Sequence, residues 1–136
     1  MAPTIAVNTL PPMITRTLLV DDHPGYLQRA QALLEQHPDI EVCGIALSGE
    51  EAIVLAANIR PDLVLLDFKM PGLNGIETTK ALKAQDPDLP VIIVTAHDDE
   101  EYRDAALEAG ASDWLSKTDI ADELDRILQQ YARRLL

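Results

Sequence analysis

The sequence predicts an α/β protein in which one parallel sheet is covered by helices on both faces. Five short apolar runs alternate with longer amphipathic stretches between residues 16 and 134, and successive strand–helix units give this architecture. The runs at 62–67 and 89–95 have continuously apolar centres, as do strands that are buried on both faces. The 136 residues fit one domain, and right-handed crossovers leave it a few doubly wound topologies.

Local signals place the ends of the elements in chain order. Pro24 suits the first turn of a helix, because the N–H that it lacks has no partner there. Ser48 and Glu51 form a capping box that starts the second helix, and Gly110 fits the left-handed position that closes the fourth. The predicted strands are 17–20, 41–45, 62–67, 89–95 and 112–116. The predicted helices extend from about 24 to before 38, from about 48 to before 61, from 76 to 85, from about 99 to 109 and from 119 to about 134.

The sequence divides into a leader, residues 1–15, and one domain, residues 16–136. Three prolines and the lack of a hydrophobic period predict that the leader is mobile. The leader has no positive charge before an apolar stretch, so it is not a secretory signal. No apolar run approaches the ~18 residues of a membrane span. We therefore expect a cytoplasmic protein with no membrane partner.

The composition narrows the classes of function. The chain has 11 Lys and Arg against 23 Asp and Glu, a net charge of −12. This acidity disfavours nucleic acid or an anionic membrane as the main partner, because phosphate binding needs a basic face. The single cysteine, Cys43, excludes an internal disulfide. Cation binding is expected wherever several of the carboxylates converge.

Residues with useful chemistry collect at the predicted strand ends. The first strand is followed by Asp21 and Asp22, the third ends in Asp67, the fourth ends in Thr95, and Lys117 follows the fifth. In a parallel sheet these ends share one edge, where sites form. Neighbouring carboxylates raise a pKa or bind a hard cation, and oxygen-only ligation at this charge favours Mg²⁺. A lysine beside them would pair with a phosphoryl group.

These groups suit a carboxylate that accepts a phosphoryl group, with a metal ion cancelling charge between the two anions. Asp67 stands alone at the end of a buried strand, so it is the predicted acceptor. Asp21 and Asp22 are the predicted metal ligands. Each residue taken singly has an ordinary structural role, as a turn former, a strand residue or a solvated charge. The prediction depends on their joint placement at the strand ends.

Four segments resemble the receiver domain of two-component response regulators, a CheY-like superfamily. They are LVDDHP at 19–24, LLDFKMPGLNG at 65–75, VTA at 94–96 and GASDWLSK at 110–117. The resemblance extends from residue 16 to about 134. The DDHP opening is most similar to receivers of LuxR/NarL-type regulators, which usually precede a DNA-binding domain.

The resemblance implies a flavodoxin-like fold with strand order 2-1-3-4-5 and five helices. It implies that Asp67 takes a phosphoryl group from a sensor histidine kinase or a phosphotransfer protein. The implied Mg²⁺ ligands are Asp21, Asp22, Asp67 and the backbone carbonyl of Lys69. The side chains of Lys69 and His97 would border the path of the attacking water and tune dephosphorylation.

The resemblance also implies a switch. Thr95 and Lys117 would bind the phosphoryl oxygens, and Thr95 would draw its loop inward. Trp114 takes the aromatic switch position, where Tyr or Phe is usual. The face formed by the fourth helix, the fifth strand and the fifth helix would then bind a downstream protein or a second copy. Thr118 departs from the pattern, since many receivers have a proline there after a cis bond.

Several functions stay open on the sequence alone. The chain is expected to be no enzyme beyond promoting its own phosphorylation and dephosphorylation, and to bind no nucleic acid directly. It is a single-domain regulator, a receiver fragment of a longer LuxR-type transcription regulator, or a phosphorylation-independent pseudo-receiver. A haloacid-dehalogenase-like phosphatase is disfavoured, because Lys69 stands where that family has a second acid. A flavin carrier is disfavoured, because Asp21 and Asp22 would repel the flavin phosphate.

Overall fold

The computed structural model describes residues 14–96 and 100–131. Five parallel strands form one sheet in the order β2-β1-β3-β4-β5, so the predicted fold class and strand order are confirmed. The strands are β1 Thr15–Val20, β2 Ile40–Ala46, β3 Leu63–Leu66, β4 Val91–Thr95 and β5 Asp113–Ser116. The helices are α1 Pro24–Glu35, α2 Gly49–Ile59, α3 Gly75–Gln85, α4 Arg103–Glu108 and α5 Ile120–Tyr131.

Helices cover both faces of the sheet and enclose two apolar cores. Successive strand residues point to opposite faces, so Leu18 and Leu66 enter one core while Leu19 and Leu65 enter the other. The first core is closed by residues of α2, α3 and α4: Ala52, Ala56, Leu82 and Ala106. The second is closed by residues of α1 and α5: Leu27, Ala30, Leu34, Ile120, Leu124 and Ile127. No helix within the described ranges is long and apolar enough to cross a bilayer.

The predicted signals at Pro24 and Gly110 are present, and the structure shows one of the two hydrogen bonds of the predicted Ser48–Glu51 capping box. Pro24 lies in the first turn of α1, and the Ser48 hydroxyl accepts a hydrogen bond of 3.1 Å from the Glu51 amide. Gly110 follows α4 with a φ of 111°, the left-handed conformation in which a glycine carries no steric cost. These signals lie within a few residues of one another along the chain, which is why the sequence reveals them.

Some boundaries differ from the prediction. β1 begins at Thr15, so the expected leader boundary falls inside this strand. α4 begins at Arg103 rather than near 99, because Glu100–Tyr102 form a 3₁₀ turn first. The positions 1–13, 97–99 and 132–136 lie outside the described residues. The predicted leader, His97 and the predicted last turn of the final helix fall there.

Candidate functional site

The sheet brings the predicted residues to one edge. The Asp67 amide donates to the Val20 carbonyl at 2.9 Å, which places Asp67 beside the end of β1. The Lys117 amide donates to the Thr95 carbonyl at 2.8 Å, which fixes Lys117 one residue beyond β5. These bonds continue the parallel ladders past the last strand residues. Their side chains therefore meet where the sequence predicted a site.

An acidic cluster forms at this edge. One ligand atom from each of Asp21, Asp22, His23 and Asp67 lies within 4.8 Å of the others. Asp21 is 2% exposed and Asp67 is 5% exposed. Among the residues that the structure describes, buried Oδ2 of Asp21 and buried Oδ1 of Asp22 have no hydrogen-bond partner. Buried carboxylate oxygens without hydrogen bonds are costly, so this donor set fits a hard cation such as Mg²⁺.

Lys117 supplies the opposing charge. Its Nζ lies 2.5 Å from Oδ2 of Asp21 and 3.8 Å from Oδ1 of Asp67. The short contact with Asp21 is an ion pair. It is not counted as a hydrogen bond, because the angles at the two atoms do not suit one. The ammonium is therefore held between the two most buried carboxylates of the cluster. From there it reaches any anion attached to Asp67 after a small movement of a flexible side chain.

His23 adds a group that the sequence did not assign to the site. Its Nδ1 lies 2.9 Å from Oδ1 of Asp21 and 3.1 Å from Oδ1 of Asp22. Its backbone amide donates to the same Asp21 oxygen at 2.8 Å. The hydrogen bond with Asp21 and the charges of both aspartates raise the pKa of His23. The imidazole is largely exposed, so it shields the two carboxylates from the solvent side.

The acidity of Asp67 is strongly perturbed. Burial, and after it the charge of Asp21, raise the pKa of its carboxyl from 3.8 to about 6, against the opposing effect of Lys117. Burial disfavours the charged form of an acid, and a like charge nearby has the same effect. A cation brought close to such a carboxylate stabilises its charged form. A perturbed acid in a cleft is also a common sign of a functional site.

The loop after Asp67 is held close to α3. The Gly75 amide donates to the Phe68 carbonyl at 2.8 Å. A Cβ on Gly75 would lie 2.9 Å from Cα of Phe68 and 3.2 Å from the Asp67 carbonyl oxygen, so only glycine fits without a backbone shift. Asn74 and Glu77 form a capping box at the start of α3, which the sequence analysis placed one residue late. Lys69 is exposed in this loop, and the role of its carbonyl stays a prediction.

The two predicted switch residues are both buried beneath the same edge. Thr95 is 3% exposed and Trp114 is 6% exposed. The Phe68 ring lies 5.2 Å from the Trp114 ring and 5.0 Å from the Tyr102 ring, measured between centroids. Phe68, the residue next to Asp67, is thus in contact with the aromatic side chain of β5. The one sequence signal for this link is an apolar residue directly after the acceptor, and it does not predict the ring contact.

The turn after Lys117 is polar. Ser116 Oγ and Thr118 Oγ1 are 2.9 Å apart, and the Thr118 amide donates to Ser116 Oγ at 3.3 Å. Every peptide bond of the described ranges is trans, the Lys117–Thr118 bond included. With Thr118 in place of the usual proline, Lys117 contacts the acidic cluster.

Comparison with known proteins identifies the family. The family model of the response regulator receiver domain matches residues 17–129. The chain belongs to the response regulator receiver family. Phosphorylation by a histidine kinase is the general function of receiver domains, which generally bind Mg²⁺ in the acidic site and interact with histidine kinases and phosphotransfer proteins. Their downstream partners vary.

Relatives of this receiver include transcriptional regulators. The regulatory protein LiaR of Bacillus subtilis is 40% identical over 109 residues, which are 80% of this chain and 52% of that protein. Protein-glutamate methylesterases also match, and the chain spans about a third of the length of one of them. The chain thus spans about half or less of these relatives.

Solved receiver structures superimpose well. A LuxR-family response regulator from Aurantimonas is 33% identical with a TM-score of 0.80, covering 85% of this chain and 83% of that one. The receiver domain of a sensor histidine kinase from Pseudomonas aeruginosa is 32% identical with a TM-score of 0.76, covering 87% and 97%. That structure is described as holding a magnesium ion in its active-site cleft.

Proposed function

We propose that Asp67 of this receiver accepts the phosphoryl group. The observation that carries the proposal is the buried Asp67 carboxylate, which lies among Asp21, Asp22 and Lys117 at the end of the sheet. An Asp67 oxygen attacks phosphorus of the donor phosphohistidine. The phosphorus–nitrogen bond breaks, and its electron pair returns to the imidazole. The product is an acyl phosphate on Asp67.

Three aspartates are proposed as the metal ligands. The carboxylates of Asp21, Asp22 and Asp67 supply hard oxygen donors close to one another, and the Lys69 carbonyl completes the proposed set. Bound Mg²⁺ would neutralise part of the charge that accumulates between the carboxylate and the phosphoryl group. The magnesium-containing receiver from Pseudomonas aeruginosa supports the choice of ion.

Lys117 and Thr95 are proposed to hold the phosphoryl oxygens. The Lys117 ammonium already lies 3.8 Å from Asp67, and it would exchange its contact with Asp21 for one with the new dianion. The Thr95 hydroxyl would donate a neutral hydrogen bond. Because the ammonium lies close to Asp67 before the reaction, only a small movement brings it to the developing charge.

Inward movement of Thr95 is the proposed start of the switch. A groove of about 530 Å³ is lined by Thr95 and Trp114 together with Arg103 at the start of α4 and Asp119 before α5. Moving the hydroxyl toward Asp67 changes the space beside Trp114 and hence the shape of this groove. The α4–β5–α5 face is therefore the proposed binding surface for a downstream protein or a second copy of the chain.

The proposed activity stops at the receiver's own phosphorylation and dephosphorylation, in the cytoplasm, without direct nucleic-acid binding by this chain. The LuxR-family structure from Aurantimonas and the transcriptional regulatory protein LiaR support a further proposal, that the receiver controls a transcription regulator. Whether phosphorylation activates or inhibits the regulator depends on which face of the receiver it reshapes.

Beryllofluoride, a non-covalent mimic of the phosphoryl group, tests the site. Trp114 is the single tryptophan, so its fluorescence reports the switch. We expect saturable quenching that requires both Mg²⁺ and beryllofluoride in the wild type and that is absent in Asp67→Asn. Equal quenching in both proteins would contradict the acceptor assignment, and Mg²⁺-independent quenching would contradict the metal site.

A further inference from the structure

Tyr26 lies against the key cation of the site. It is the third residue of α1, and it is partly buried against the core formed by α1 and α5. Its ring centroid lies 4.0 Å from Nζ of Lys117. The position falls between the DDHP motif and the apolar stripe of α1, and neither pattern assigns a role to it.

The ring completes the surroundings of the ammonium group. Lys117 is 11% exposed, and its Nζ faces Oδ2 of Asp21 at 2.5 Å and Oδ1 of Asp67 at 3.8 Å. The face of Tyr26 occupies a third direction. An ammonium has three donors and no acceptor, and an aromatic face attracts a cation within about 6 Å. Tyr26 therefore replaces water on one side of the charge and limits where the lysine chain can swing.

The contact is with a neutral ring. Burial and the charges of Asp21 and Asp67 raise the pKa of Tyr26 to about 12, so the phenol keeps its proton at neutral pH. An ion pair between a phenolate and Lys117 is thereby excluded. What remains is attraction to the ring face together with exclusion of water, and a phenylalanine would supply both.

We propose that Tyr26 is a positioning residue, which holds the Lys117 ammonium beside Asp67 and so sets the rate at which Asp67 accepts a phosphoryl group. The inference rests on the proposed roles of Asp67 and Lys117. The lysine has a flexible four-carbon stem, and a cation placed a few ångströms away loses much of its value to the developing dianion. Tyr26 reduces that freedom before the donor arrives.

The test compares Tyr26→Phe with Tyr26→Leu. Phosphorylation by phosphoramidate with Mg²⁺ is followed by the fluorescence of Trp114 and by intact mass. We expect Tyr26→Phe to keep the wild-type rate within about twofold. Tyr26→Leu loses the ring and is expected to react about threefold to tenfold more slowly. Urea unfolding of both variants shows whether each is folded.

The same pair of substitutions in a Lys117→Met background separates positioning from general damage to α1. If Tyr26 acts through the lysine, the Lys117→Met protein is phosphorylated at the same slow rate whether position 26 holds Tyr or Leu. A Tyr26→Leu loss of equal size in both backgrounds would overturn the proposal.

Lys117 Hε signals in the NMR spectrum provide a readout that does not need phosphorylation. They should be shifted upfield by the ring in the wild type and in Tyr26→Phe, and lose that shift in Tyr26→Leu. Unshifted signals in the wild type would overturn the placement. A wild type that takes no phosphoryl group defeats the acceptor assignment itself, whereas a reactive wild type matched by Tyr26→Leu defeats only the role of Tyr26.

Discussion

Replacing Asp67 by Asn should stabilise the protein at neutral pH when no divalent cation is present. The Asp67 carboxyl is buried, and its pKa is raised from 3.8 to about 6 by burial and by Asp21. The folded state therefore holds this proton more tightly than the unfolded state. Stability is greatest while the group is protonated and falls as pH rises from about 4 to 6. Asparagine is neutral throughout and escapes that loss.

The size follows from the shift. One pKa unit corresponds to ~1.36 kcal/mol, so a shift of about two units gives an upper value of about 3 kcal/mol above pH 6. Asparagine resembles the protonated acid in shape, so the difference between the two proteins should be small near pH 4 and reach its full value by pH 7. Other titrating groups are common to both proteins and largely cancel in the comparison.

Urea unfolding in EDTA at several pH values between 4.5 and 7.5 measures this difference. Wild type and Asp67→Asn are compared at each pH, and the slope of unfolding free energy against urea is checked for equality. We expect the advantage of the variant to grow with pH through the window of the Asp67 pKa. A variant that is less stable at pH 7, or a difference that does not change with pH, would refute the electrostatic reasoning.

Three further predictions concern the metal, the lysine and the acceptor loop. Mg²⁺ should raise the melting temperature of the wild type, because it binds the folded state only. It should raise the melting temperature of Asp67→Asn by less. Equal shifts of the two proteins in a thermal scan would count against Asp67 as a ligand. Lys117→Met should slow phosphorylation by on the order of 10²-fold, measured by intact mass against time, and an unchanged rate would remove Lys117 from the site. Gly75→Ala should lower the free energy of unfolding by about 1–3 kcal/mol in urea, because its Cβ would meet Phe68 Cα at 2.9 Å. Gly25→Ala serves as the control, since its Cβ would meet the flexible end of an arginine at 3.5 Å. Equal losses in the two variants would refute the argument from close approach.

The edge of the sheet was predictable because its residues follow the strands directly. Once the strands are parallel, Asp21, Asp67 and Lys117 must share that edge, and the structure brings them together. Apolar runs and caps are likewise local signals. The resemblance added the strand order, which the structure has.

Contacts between distant elements were not predictable in this way. Tyr26 and Lys117 are far apart in the sequence but lie in contact. Phe68 links Asp67 to Trp114 by the packing of its ring. Both depend on how α1 and the acceptor loop lie against the sheet, which no periodicity specifies. The late start of α4 has a similar origin, since a 3₁₀ turn at Glu100–Tyr102 precedes its first helical residue.

The mass of the intact protein after incubation with acetyl phosphate and Mg²⁺ tests directly whether Asp67 is the phosphoryl acceptor. Borohydride reduction of the acyl phosphate followed by peptide mapping then identifies the modified residue. We expect one phosphoryl adduct on the wild type, mapped to Asp67 and absent from Asp67→Asn. An adduct that persists in Asp67→Asn, or that maps to another residue, would contradict it.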